Sequence, residues 1–323
     1  MRLALVAIVV AVAGVLPSVA SAHVGRTPPV ATSFTARITG SVPGIRASVV
    51  DGDQMLWLQT ASVVLVPGTL GEPLLRFDRR GVWLNLRSPT AQSDRIDPFD
   101  LRPSASPRAK PLWHRVSGGH SYAWHEHRLH ALEPLARSAG TVGPWSVSLV
   151  VDGRRQRLHG VLEYRPPGRT WAWIATAAVL AAAATAAATR SRAALVALAL
   201  SATPVVWAIR IGRELYGRPT VPAIGWIEIA LTSVVGAALV YGLVNRDEST
   251  RVFTAFLVGF GGLYEGLTML PLLTHAIALS DLPSIVARVG EVLILGAGIG
   301  ALAGSILGQL RLSEAGIDSS GAA

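Results

Sequence analysis

Between residues 23 and 168 no long apolar period of 3.6 appears, and hydrophobic positions come instead in short β-rich runs. The clearest are 33–38, 55–60, 62–66, 74–77, 82–86, 145–151 and 158–164, separated by Gly, Pro, Asp and Ser. That spacing predicts an all-β sandwich of the immunoglobulin-like kind. Trp145, Val147 and Leu149 fall on one strand face, and Asp152-Gly153 then begins a tight turn. Leu158, Leu162 and Tyr164 lie on the returning strand, so a closing hairpin is expected. The stretch 87–111, rich in Pro, Asp and Ser, reads as a long loop or insertion.

After residue 168 the pattern changes to apolar stretches of membrane length at 171–189, 193–211, 221–244, 252–273 and 284–310. Five transmembrane helices are therefore expected. The chain opens with Met1-Arg2, an apolar run to Leu16, and Ala20-Ser21-Ala22, the pattern of a cleaved secretory signal. The expected organisation is a signal peptide at 1–22, an exported β-sandwich at 23–168, a membrane domain at 169–310 and a tail at 311–323. Export of the sandwich and an odd number of spans place the tail in the cytoplasm of a bacterial cell, with the plasma membrane between. Arg190, Arg192, Arg246, Arg251 and Arg311 then face inward as the positive-inside rule asks, whereas Arg210, Arg213 and Arg218 fall on an outer turn.

The 323 residues are 50% hydrophobic and 15% charged, which excludes a single water-soluble domain. The absence of cysteine removes disulfides, thiolate metal sites and Cys nucleophiles. The net charge of +9 comes almost wholly from scattered Arg. No block of like charges or basic helix points to nucleic acid, so none is expected as a partner. No Gly-x-Ser-x-Gly or phosphate-binding Gly-rich loop is present.

Five of the eight histidines lie between His114 and His130. The densest segment reads Trp124-His125-Glu126-His127-Arg128-Leu129-His130. If 122–127 is a strand, His125 and His127 share a face and can converge on one ion, with His130 folding back as a third ligand. Without thiolates, imidazole suits copper, zinc or nickel, and the affinity order favours copper where it is available. The zinc-deaminase motif needs cysteines and fails; the His-Glu-x-x-His metalloprotease spacing is also absent. Cleavage after Ala22 would make His23 the mature N-terminus, whose α-amino and imidazole nitrogens can bind one metal together.

Ala22-His23, the β-rich region and the closing segment from Gly143-Pro144-Trp145 through Asp152-Gly153 to Glu163-Tyr164 resemble the CopC family of periplasmic copper-binding proteins. The resemblance implies a CopC-like sandwich with Cu(II) on the mature N-terminal His and on an Asp-Gly-His turn. His23 and Asp152 match those positions, but Arg154 stands where the histidine should be. His125 or His127 would then supply the missing imidazole. Fused copper-import proteins of the CopC–CopD type offer a parallel for the whole chain, with more membrane helices than are expected here.

In the membrane half Glu228, Glu265 and Glu291 each fall roughly 10–12 Å below the expected outer ends of their helices, counted at the α-helical rise. Such carboxyls should face the bundle interior. Arg288 and His275 are the nearest expected cationic partners, and Met269, one turn from Glu265, offers a soft ligand. Glycines at 259–262, 296, 298, 300 and 304 should allow close helix packing.

The sequence therefore predicts a membrane-anchored extracytoplasmic protein binding a metal ion, copper before zinc, at His23, His125, His127, His130 and Asp152. Delivery of the ion to the intramembrane polar residues would follow. The alternatives are an envelope protein that binds lipid or another partner without metal, and a copper oxidative enzyme with Tyr122 near the ion.

Overall fold

The computed structural model describes residues 29–96, 103–130, 138–216, 223–244 and 248–320. It divides into a β unit, containing residues 33–166, and a helical unit, containing 30–32 with everything after 166. The signal-peptide and His23 expectations fall outside the described residues.

In the β unit a seven-stranded antiparallel sheet is built from β2 (Phe34–Ile38), β11 (Arg154–Tyr164), β10 (Gly140–Val151), β5 (Val64–Pro67), β6 (Pro73–Asp78), β7 (Gly81–Asn85) and β8 (Trp113–Ser117), in that spatial order. A second, three-stranded sheet orders β3 (Ile45–Val50), β4 (Met55–Thr60) and β9 (Ser121–His125). Both contribute to one apolar core that includes Leu56, Leu58, Phe77, Leu84, Trp124, Val147 and Leu158. Alternation explains the long hairpin: Trp145, Val147 and Leu149 are buried on β10 while Ser146 and Ser148 are exposed. Asp152 and Gly153, both at positive φ (47° and 81°), form the two-residue turn joining Val151 to its partner Arg154. Gly160 lies opposite Trp145, and a Cβ there would fall 2.1 Å from the indole.

The expected strand 122–127 ends at His125. Glu126 caps a 3₁₀ turn, His127–Leu129, so His127 has left the ladder. The expected loop 87–111 contains a short helix, α1 (Pro89–Ser93), capped by the Ser88 hydroxyl and ending at Asp94. The buried Glu72 secures that helix by accepting from Ser88 Oγ at 2.7 Å and from the Thr90 amide at 3.1 Å.

The helical unit comprises α2 (Thr170–Arg190), α3 (Arg192–Leu215), α4 (Ala223–Val244), α5 (Glu248–Met269), the short α6 (Pro271–Thr274) and α7 (Ser284–Ser320). Four described stretches are long and apolar enough to cross a membrane: Thr170–Arg190, Arg192–Leu215, Thr250–Thr274 and Ser284–Leu307. In α4 the shorter stretch Ile229–Val244 is the apolar one, so five full spans are not established. The stretch expected at 252–273 breaks at Leu270, where Pro271 opens α6. Small residues set the packing around α7. Gly298 meets Gly262 of α5 so closely that a Cβ would come within 2.9 Å of its backbone, and Gly300 and Gly304 face Ala184 and Ala188 of α2. Two-residue strands β1 (Ala31–Thr32) and β12 (Ile277–Ala278) pair within this unit.

Burial works against the ionised form of Glu72, but the bonds from Ser88 and Thr90 outweigh it and hold its pKa below the usual Glu value of 4.5. A carboxyl with a depressed folded pKa stabilises the fold above its unfolded pKa, and that stability is lost as pH falls through the folded one. Glu72→Gln should therefore lower stability at neutral pH by about 1–3 kcal/mol, with the deficit shrinking towards acid pH. Denaturant unfolding at several pH values measures this.

Candidate metal centre

Antiparallel pairing brings the start of β4 beside the end of β9, with Met55 opposite His125. The preceding loop, Asp51-Gly52-Asp53-Gln54, therefore lies next to the histidine segment, and the Glu126 amide donates to the Gln54 carbonyl at 3.1 Å. Glu126 itself is fully buried. Its carboxylate accepts from Trp124 Nε1 at 3.0 Å and from Arg128 Nε at 2.6 Å, while Arg128 also donates to the Pro67 carbonyl at 3.1 Å. This clasp fixes the backbone from which His125, His127 and His130 project.

The three imidazoles converge. Ring centroids are 4.8 Å apart for His125 and His127, 4.9 Å for His125 and His130, and 5.6 Å for His127 and His130. His125 Nε2 and His130 Nε2 stand 3.0 Å apart. Two nitrogens each bound about 2 Å from one ion would be separated by about 3 Å. On its other side His130 Nδ1 meets Asp53 Oδ2 at 3.2 Å and Gln54 Nε2 at 3.3 Å. In the tautomer whose Nδ1–H donates to Asp53, Nε2 keeps its lone pair towards His125, the arrangement that orients metal-binding imidazoles.

Asp94 completes the group. One ligand atom each from Asp94, His125 and His127 lies within 4.8 Å of the others. Donors about 2 Å from a shared ion are at most about 4 Å apart, so ion binding needs these side chains to draw slightly together; the His127 side chain is 41% exposed. His127 Nδ1 is 2.6 Å from Asp94 Oδ1 but off the line of a hydrogen bond, and Asp94 Oδ2, fully enclosed, has no hydrogen-bond partner. Burial raises the Asp94 pKa above the usual Asp range; the Ser93 hydroxyl and His127 offset this only in part, and the charge of Glu126 adds to it. Asp94, His125 and His127 thus group around one point, and His130 reaches this group through His125 Nε2, with charge that a cation would neutralise.

The other expected residues are placed elsewhere. The Asp152 carboxylate accepts from the Val63 amide at 3.1 Å and serves the hairpin turn. Arg154, at the position where the CopC-like pattern requires a histidine, is exposed. Tyr122 packs against the apolar core, on the strand face opposite His125. Asp53 and Asp94 were not anticipated from the sequence.

The helical unit also departs from expectation. Glu265 pairs with Arg210, not with Arg288 or His275: Arg210 Nε and an Nη donate to its two oxygens at 3.0 and 2.6 Å. Arg210, expected on an outer turn, lies within α3, which continues past the expected end at 211 to Leu215. Arg288 instead donates to the carbonyls of Leu272, His275 and Ala276 at 2.7–3.0 Å, tying down the end of α6. His275 Nδ1 lies 3.1 Å from the Thr274 hydroxyl. Met269 is buried in an apolar cluster with Ile209, Ala287 and Ile294, where it fills space rather than offering a ligand. The Glu228 side chain lies outside the described residues.

No family model matches this chain, and neither a curated protein nor a solved structure does.

Asp94 titrates higher when folded than when unfolded. From 3.8, its ordinary value, up to the folded value the unfolded chain binds fewer protons, so the metal-free fold loses stability as pH rises through that window. Metal-free Asp94→Asn should consequently melt higher than the parent at neutral pH, with the difference vanishing in acid. Calorimetry of both proteins after chelator treatment tests the sign.

Proposed function

We propose that this is a multi-pass bacterial plasma-membrane protein whose extracytoplasmic β unit binds one divalent transition-metal ion on Asp94, His125, His127 and His130. The observation that carries the reading is the grouping of His125 and His127 with a buried carboxylate that has an unpartnered oxygen, His130 Nε2 standing 3.0 Å from His125 Nε2. Imidazole nitrogen with one carboxylate suits Cu(II) and Zn(II), and the affinity order favours copper. The β unit is read as a sandwich, exported by a signal at 1–22 and followed by five spans with a cytoplasmic tail. Delivery to the membrane glutamates is not part of this reading, because Arg210 already neutralises Glu265 and Met269 is packed in apolar surroundings.

A role in contacting anionic lipid or wall polymer has separate support. Arg154, Arg155 and Arg157 are all exposed along the start of β11 and make a basic hairpin. The oxidative-enzyme alternative is not retained, since Tyr122 lies on the face away from His125.

Metal-stripped full-length protein in detergent, titrated calorimetrically with Cu(II) and with Zn(II), should bind one equivalent. At a hundredfold excess over Kd the ion should stabilise the fold by about 2.7 kcal/mol. His125→Ala and His130→Ala should abolish the high-affinity phase, and His159→Ala should leave it intact. Asp53→Asn should weaken binding about 10–100-fold by releasing His130. Full-strength binding in both the His125→Ala and His130→Ala proteins would overturn the site.

A further inference from the structure

Glu291 is the most deeply enclosed acid of the helical unit, with no exposed surface and no hydrogen-bond partner for either carboxylate oxygen. It sits where α3, α5 and α7 meet. A Cβ added to Gly266 of α5 would lie 3.6 Å from Glu291 Oε1 and 2.4 Å from Leu295 Cδ2, while the adjoining Gly290 packs on Val205 and Ile209 of α3. The glycine backbone and hydrocarbon that line this contact supply no second donor for a metal ion.

Arg210 follows Ile209 on α3, Glu265 precedes Gly266 on α5, and the two form the bidentate pair beside this junction. Glu265 lies within Coulombic reach of Glu291. The other described charges on the packed elements are occupied or remote. Arg213 contacts Glu214 at 3.6 Å on α3. Arg288, one turn earlier on α7, is held by three carbonyls, and His275 by Thr274 and Pro271. Here α2 contributes Trp173, Ala177 and Leu180; its Arg190 is at the opposite end, beyond the Ala188 that meets Gly304. Strand β12 has no charged residue, and Asp281 precedes α7.

An ionised carboxylate without a counter-charge in such a setting costs several kcal/mol, whereas one proton removes the charge and needs no further ligand. Arg210 is committed to Glu265, and neither oxygen of the fully buried Glu291 has a hydrogen-bond partner. We propose that Glu291 is a proton-binding site, its carboxyl held un-ionised where α3, α5 and α7 meet.

The test is infrared spectroscopy of the full chain in lipid vesicles at neutral pH, following the carbonyl stretch that un-ionised carboxylic acids show and carboxylates lack. The parent should show this band, and Glu291→Gln, which copies the shape of the protonated acid, should lose one carboxyl equivalent. A parent spectrum without the band, or a band unchanged in Glu291→Gln, overturns the site. Matching helical circular dichroism of the two proteins certifies that the comparison is between folded chains. Addition of Cu(II) or Zn(II) should leave the band unchanged.

Discussion

A carboxylate removed from water must receive hydrogen bonds, a counter-charge, a cation or a proton, and this constraint organises both units of the protein. Glu72, Glu126 and Glu265 are answered by the protein's own donors. Each answer has a structural consequence. Glu72 holds the start of α1, at whose end Asp94 stands. Glu126 clasps the chain where β9 gives way to the 3₁₀ turn and so sets the directions of three imidazoles. Glu265 ties α5 to α3 through Arg210. Asp94 and Glu291 each retain a buried oxygen that no described donor answers. The two functional readings are what that remainder implies.

The sequence was informative where one physical signal dominated. The run 145–151 alternates apolar and polar residues and 55–60 is a short apolar run bounded by polar residues; both appear in the β unit. The strands β3 and β8 were not among the expected runs: β3 alternates Ile45-Arg46-Ala47-Ser48-Val49 but is mostly half-buried, and β8 breaks alternation at His114-Arg115. The helical unit was legible as long apolar runs, whereas the end of α3 was not, since Arg213 and Glu214 continue the helix beyond the expected end at 211. Arg210, expected on an outer turn, lies within that helix and is the partner of Glu265.

The histidine grouping was legible from density alone, but the geometric reason expected for it was not the one realised. His127 reaches the cluster by leaving the strand, through a turn that Glu126 caps with its side chain. Asp53 and Asp94 could not be found by spacing, being respectively 77 and 33 residues from the histidines they approach. The Asp51-Gly52 turn, with φ of 55° and 79°, is the local signal that a loop begins there. Only the Met55–His125 register places that loop against the cluster.

Why one orphaned carboxylate should call for a metal and the other for a proton follows from their neighbours. Around Asp94 the imidazoles offer several lone pairs, one of them oriented by Asp53, and His127 opens towards solvent from which an ion can enter. A proton there would leave those nitrogen donors without a common purpose. Beside Glu291 lie the Gly266 position and Leu295, and neither oxygen of its carboxylate has a hydrogen-bond partner. Glycine and hydrocarbon cannot replace the hydration shell that a metal ion would have to shed. The smallest cation, which needs only one oxygen, is the ligand that such a place can hold.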